Sequence, residues 1–387
     1  MSAGRDESPP AGGGDRPARA GRRGGGRHGA SIRDVARLAG VSPGTASRVL
    51  SGSSYPVSEP ARRRVEDAAR ALNYVTNSAA RALVTGRSEL VGAIVHDITD
   101  PFFSVVVRGL QDAAVADGLV VLVGNDDRDA AKLEGYLTML LSQKPTGVVL
   151  IGGQLREPAA TLPVALAVQR LREQGVPVVA VGRYELDIPR VAVDDVAGAD
   201  VAVAHLVELG HRRIAFLGGP LNSTTVQDRY TGYCAALMRV GEPLDESLVV
   251  PTPLSVEGGS QAAAGLLAAG APFSALFAAT DEVAFGAISA LREHGLRIPA
   301  DVSVVGFDDV VMSAHSDPPL TTIRVPAREL GLAAWRLLRA GETGTPPPCE
   351  QVPFELVRRA STAPPPAGDG AVAGVAAGAT GADRRET

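Results

Sequence analysis

Two rhythms of apolar residues divide the chain. Between residues 31 and 76, apolar side chains recur at helical spacing in three short bursts. In the first, Ile32, Val35, Ala36 and Ala39 share one face, with Ser31 as an N-cap before them and Gly40 as a stop after them. In the second, Ser42 precedes Pro43, whose missing N–H costs nothing at a first helical position, and the pattern runs from Thr45 to Leu50. In the third, Ser58 leads to a stripe of Val65, Ala68, Ala69 and Leu72. From residue 89 to about 360 the rhythm changes. Apolar, β-branched runs at 90–95, 119–123, 147–151, 176–181, 214–217, 275–278 and 302–307 alternate with helical stretches such as 105–116, 196–209, 229–240 and 282–294. That alternation predicts parallel sheets joined by crossover helices. The units are too many for one sheet, so two doubly wound α/β lobes are expected. Ligands of such sheets sit at the carboxyl ends of the strands, which two facing lobes would turn into a cleft.

Composition and charge sharpen this outline. At 387 residues the chain needs two or three domains, and 45% hydrophobic with 21% charged residues suits a soluble globular protein. No run of eighteen apolar residues predicts a membrane span, and residues 1–30 lack the apolar core of a signal peptide, so a cytoplasmic, nucleoid-associated protein is expected. Residues 1–30 and 361–387 are Gly/Ala/Pro/Arg-rich and are predicted to be disordered, because they cannot bury enough apolar surface to offset the entropy of ordering. Cys234 and Cys349 have no partner motif and read as free thiols. The chain carries −5 overall, yet its first 88 residues hold fifteen arginines against seven acidic residues. A basic head on an acidic body points to a polyanionic partner for the head alone.

The head supplies a motif for that partner. In SIRDVARLAGVSPGTASRVL, two short helices meet at Ala39-Gly40-Val41, as a helix-turn-helix requires. Thr45, Ser47 and Arg48 then project from the second helix. Hydroxyls suit phosphates, and an arginine can bond a guanine edge in the major groove.

These residues, with VSEPARRRVEDAARALNYVTNSAARAL after them, resemble the LacI/GalR family of transcriptional regulators. The resemblance continues in order through DPFF, HLVELGHRRIAFLGGP, FAATDEVAFGAISALREHGLRIPADVSVVGFDD and PPLTTIRVP, over roughly residues 31–360. It implies an all-α helix-turn-helix head (31–76), a hinge and linker (77–88) and a core resembling periplasmic binding proteins (89–360). The expected lobes are 89–188 with 326–340, and 189–325 with 341–360. It further implies a repressor that binds a pseudo-palindromic operator as a homodimer and responds to a small-molecule effector of the sugar class. By position, Ser42, Pro43, Gly44, Thr45, Ser47 and Arg48 would face DNA, with Thr45 and Ser47 on phosphates and Arg48 on a base. Pro43 and Gly44 stand where the family varies with operator sequence, and neither offers a side-chain donor or acceptor. Asn77, Ala80, Arg81 and Leu83 match the family's hinge, Leu83 as the wedge that enters the minor groove.

In the core, the resemblance implies an effector pocket built from Phe102, Phe103, Arg229, Thr280, Asp281 and Asp308, with weaker support for Arg183 and Asp195, which are placed on strand-end loops. Aromatic faces, carboxylates and arginines suit sugars, whose hydroxyls donate and accept while their C–H faces are apolar. Phe102 and Phe103 are placed on a loop, and Arg229 at the opening of a helix. Leu254 stands where some members carry a stacking aromatic. Val283, Ala284, Ala287, Ile288 and Leu291 are a candidate dimer face. Chemistry is not expected. The histidines are scattered without metal-binding spacing, and no GxSxG, Walker A or dinucleotide fingerprint follows a strand, so no cofactor, metal or catalytic residue is assigned.

Overall fold

The computed structural model describes residues 30–51, 55–74, 88–343 and 349–366, in two compact units that divide between Arg81 and Ala82. In the first unit, α1 (Ile32–Ala39) begins with a capping box in which Ser31 and Asp34 exchange hydrogen bonds, and stops at Gly40 in the left-handed region, φ +64°. Only glycine takes that conformation without strain, and it turns the chain sharply into α2 (Pro43–Leu50). The third helix, α3 (Glu59–Ala71), closes the unit. Its Val65, Ala68 and Ala69 bury against Val35, Ala36, Ala39, Ala46 and Val49. Arg64 donates from Nε to the carbonyl of Ala39 at 3.1 Å, tying α3 to the end of α1.

The second unit holds two six-stranded sheets. In sheet order, the first contains β11 (Cys349–Gln351), β5 (Arg190–Ala192), β4 (Val178–Val181), β3 (Gly147–Ile151), β1 (Leu90–Val95) and β2 (Val120–Asn125). The second contains β12 (Glu355–Val357), β10 (Thr321–Arg324), β9 (Ser303–Asp308), β8 (Ala275–Ala278), β6 (Ile214–Gly218) and β7 (Val249–Pro251). All pairings are parallel except β10 with β12. Strands such as β3 and β6 are buried along their whole length, as central strands covered by helices on both faces must be. The helices of the first lobe are α4 (Pro101–Ala116), α5 (Ala130–Gln143), α6 (Pro158–Glu173) and α11 (Ala327–Thr343). Those of the second are α7 (Asp195–Glu208), α8 (Thr224–Arg239), α9 (Val256–Ala269) and α10 (Asp281–Glu293). The chain crosses between lobes after β5, β10 and β11, so each crossing leaves from the carboxyl end of a strand.

Several expectations are corrected. The division at residue 189 is misplaced, because Arg190–Ala192 extends the first sheet by pairing with β4. Cys349–Gln351 likewise joins the first sheet beside β5, not the second lobe. Disorder from residue 361 fails for the first residues of that stretch. Ser361 is fully buried, accepts from the Thr321 N–H at 2.8 Å and donates to the Val304 carbonyl at 2.6 Å. Those bonds satisfy backbone groups at the sheet's end, which composition cannot reveal. The proposed dimer face on α10 is spent inside its own lobe, with Val283, Ala284, Ala287 and Leu291 fully buried and Ile288 nearly so. The expectations for residues 1–29, for Asn77, Ala80, Arg81 and Leu83, and for 367–387 lie outside the described residues.

Candidate functional sites

On the head, α2 presents the residues singled out in sequence. Ser42, Pro43, Gly44 and Arg48 are exposed, and Thr45 and Ser47 half-buried, while Ala46 and Val49 on the opposite face enter the core. Ser42 caps the helix, accepting the Thr45 N–H at 3.1 Å, and its hydroxyl lies 2.9 Å from that of Thr45. Pro43 has no N–H and Ser42 takes that of Thr45, which leaves the Gly44 amide of this first turn to meet a phosphate. The guanidinium of Arg48 lies 4.4 Å from the ring centroid of Tyr55. Tyr55, itself exposed, was not singled out in sequence. A lone aromatic between SGSS and Pro56 was the available signal.

In the core, a cavity of about 70 Å³ lies between the lobes, at the carboxyl ends of both sets of strands. Its floor is Arg229, on α8. The side chain is buried and stacks on Phe307, with the guanidinium carbon 3.7 Å from the ring centroid. Nε donates to Asp195 at 2.8 Å, Nη2 to Asp308 at 3.2 Å, and Nη1 to the carbonyl of Ala279. Burial opposes the Arg229 charge, but Asp308 and Asp195 more than offset it and hold the group cationic. Burial pushes the Asp308 carboxyl well above the carboxylate range. Arg229 opposes that shift, while Asp281, Asp100 and Asp195 add to it. Two carboxylates on one guanidinium, with Asp100 in the same field, favour a shared proton or an incoming hydroxyl.

Asp308 is also held in an uncommon backbone conformation, φ +114°, followed by Asp309 at φ +54°. The next side chain explains how. Asp309 receives Arg359 Nη2 at 2.6 Å and Arg324 Nε at 2.7 Å, and this pins the turn.

Phe102 and Phe103 line the opposite wall. They occupy the first turn of α4 and not a loop, because Asp100 caps that helix by accepting the Phe102 N–H at 2.9 Å and Pro101 fills its first position. The two rings pack edge to face, 5.5 Å between centroids. Burial raises the Asp100 carboxyl above its ordinary value. Arg229 does not open α8, which starts at Thr224 after Ser223. It sits further in, where burial is complete. Thr280 caps α10 and lines the cavity, as does Leu254.

Two expected pocket residues stand elsewhere. Asp281 lies behind the wall, where it accepts from the Val310 N–H at 2.9 Å, Ser313 at 2.6 Å and Thr322 at 2.6 Å, and burial raises its carboxyl to about 7. Those three donors, which come from distant sequence, turn it inward. Arg183 bonds Asp228 of the other lobe through two nitrogens, at 2.7 and 2.8 Å, so it fastens the lobes together and does not line the cavity. Beside it, Leu155 and Ser223 form an antiparallel bridge.

Among the cavity residues that the sequence reading did not assign are His96 and Arg128. His96 lies 2.8 Å from Asp126 through Nδ1 and 2.7 Å from the Gly153 carbonyl through Nε2. Its ring fits because Gly152 is glycine. A Cβ there would approach the imidazole to 2.5 Å, and its φ of +127° is one that L side chains rarely adopt. The Gly152-Gly153 pair was thus a usable signal. Among the described residues no group of three or more His, Cys, Asp or Glu side chains could hold a metal ion, and no helix is long and apolar enough to cross a membrane.

Known proteins share both units. Residues 31–77 match the family described as bacterial regulatory proteins, lacI family, and residues 203–362 match the periplasmic binding protein-like domain. The transcriptional repressor CytR of Escherichia coli is 34% identical over 311 residues, covering 80% of this chain and 89% of CytR. The solved complex of the transcriptional regulator CelR with cellobiose is 33% identical, covers 86% of this chain and 99% of CelR, and superposes with a TM-score of 0.63. The Lac repressor dimer bound to operator and the anti-inducer ONPF is 30% identical, covers 87% and 100% of the two chains, and gives a TM-score of 0.77.

Proposed function

The chain belongs to the LacI family of bacterial transcriptional regulators, and from that premise we propose a dimeric, cytoplasmic repressor, not an enzyme, whose operator affinity is set by a neutral sugar-class effector bound between its lobes. The observation that carries this reading is the buried Arg229 fixed by Asp195 and Asp308 at the floor of the cleft. Each of those carboxylates keeps its second oxygen free of hydrogen bonds among the described residues. The opposite wall is aromatic, made by Phe102 and Phe103. Acceptors facing an apolar plane match a sugar's hydroxyls and C–H face. The cavity is small beside the roughly 300–1,000 Å³ of sites for drug-sized ligands, so ligand entry has to part the lobes and stretch the Arg183–Asp228 fastening. That movement gives the effector its differential grip on two states of the core.

On the head, Thr45 and Ser47 contact phosphates with the support of Ser42 and the first turn of α2, and Arg48 reads a base. Pro43 and Gly44 lie against the groove and add shape only. Exposed apolar residues support a dimer: Val120 and Leu122 on the edge strand β2, and Val311 and Met312 in the second lobe. Such surfaces are seldom left open to water on a monomer.

The test is selection of duplexes from a random pool, followed by titration at several salt concentrations. A two-fold symmetric motif, bound by a dimer with a steep negative salt slope, is expected. Enrichment of no motif, or a monomeric mass at micromolar concentration in light scattering, would refute the reading.

A further inference from the structure

The arginines of the head fall into two kinds. Arg37, Arg63 and Arg70 each pair with a carboxylate on their own helix, and Arg64 donates to the Ala39 carbonyl. The Arg48 side chain makes no hydrogen bond or ion pair among the described residues. Its guanidinium carbon lies instead over the Tyr55 ring, 4.4 Å from the centroid. Tyr55 is 58% exposed, and it is not one of the apolar side chains that pack on the head's core, as Val57 and Tyr74 do. An exposed ring apart from the core adds little to the fold, so its place over Arg48 points to binding.

We propose that Tyr55 is a positioning residue for base readout: its ring holds the Arg48 guanidinium by a cation–π contact and presents it to a guanine edge in the operator's major groove. This rests on the reading of Arg48 as the base-contacting residue. The chemistry suits the task. A guanidinium attracted to a ring keeps the N–H donors that a carboxylate partner would occupy. An arginine tied to a carboxylate would have to break charge-assisted hydrogen bonds before meeting O6 and N7 of guanine, and one held by a ring does not. Holding the long side chain before DNA arrives also reduces the entropy lost when it is ordered there. The helix itself supplies no such support. On α2 the described positions three and four away from Arg48 are Gly44, Thr45 and Ser51, all short and uncharged. The support therefore comes from beyond the helix, from Tyr55, and acts on base preference more than on overall affinity.

The experiment is fluorescence anisotropy of the full chain on the duplex selected from the random pool and on duplexes carrying each single-base change. The proteins compared are the parent, Tyr55→Phe, Tyr55→Leu, Arg48→Ala and the variant carrying both Tyr55→Leu and Arg48→Ala. Tyr55→Leu is expected to lower discrimination by about two- to fivefold per half-site, the value of one exposed cation–π contact. The loss should fall at the same symmetric pair of positions that Arg48→Ala affects, and Tyr55→Leu should add nothing in the Arg48→Ala background. Tyr55→Phe, which keeps the ring, should retain the parent's preference. Unchanged discrimination in Tyr55→Leu, an equal loss on every duplex, the same loss of preference in Tyr55→Phe, or additive effects in the double variant would each overturn the positioning role while leaving Arg48 as the base-reading residue. If Arg48→Ala itself weakens every duplex equally, the reading of Arg48 fails, and positioning by Tyr55 fails with it.

Discussion

Arg48 and Asp281 show how far a single residue can be read from sequence. Arg48 was recognisable because its neighbours on α2 are small or apolar, leaving one long donor to project. The structure leaves it exposed beside Tyr55. Arg48→Ala should flatten base preference at one symmetric pair of operator positions, a loss of roughly 1–3 kcal/mol of discrimination. Binding measured on operators substituted at each position checks this, and an equal loss on every sequence would assign Arg48 to phosphate instead. Asp281 was misplaced, because its donors Val310, Ser313 and Thr322 lie 29 to 41 residues away and no local pattern announces them. Its folded-state value of about 7 exceeds the ordinary 3.8. Between those values the folded chain binds the extra proton. This residue's contribution to stability is therefore present at low pH, falls as pH rises from about 4 to about 7, and is flat above. Asp281→Asn should remove that slope, so the difference in melting temperature between variant and parent should change across pH 4.5–7.5. A constant difference would show that Asp281 is ionised throughout.

At the scale of elements, the buried strands were legible because parallel strands covered on both faces are continuous apolar runs. The three-residue strands β5 and β11 were not, since so short a segment has no period, and their omission put the lobe boundary in the wrong place. Two helix starts shifted by several residues, after Asp100 and after Ser223, because polar or cap residues stand ahead of the apolar pattern. Helix contacts were also hidden. The pair α4 and α11 crosses at Gly109, where a Cβ would stand 2.2 Å from the carbonyl oxygen of Arg328. Gly109→Ala should therefore lower core stability by roughly 1–3 kcal/mol through forced backbone movement. Gly135→Ala, in α5 with nothing within 4 Å of the new carbon, should instead gain roughly 0.5–1 kcal/mol from helix propensity. Urea midpoints of the two variants check the contrast, and a loss in both would refute the packing argument.

For the whole molecule, the basic head and acidic body were visible in the arginine count alone, and they match a division of labour between a polyanion and a neutral ligand. The cleft was foreseen from the alternation of strands and helices, but its closing contacts were not. Arg183 and Asp228 lie 45 residues apart in sequence and meet only because the lobes face each other. The central claim is that a ligand over Arg229 and Asp308 controls DNA affinity. The most direct measurement is fluorescence anisotropy of the selected operator, with and without the tightest-binding compound from a panel of neutral sugars, for the parent chain and for Asp308→Ala. The account predicts that ligand changes the parent's operator affinity by roughly 5- to 150-fold, and that the variant binds free operator like the parent but no longer responds. An unchanged affinity in the parent, or an equal response in the variant, would contradict it.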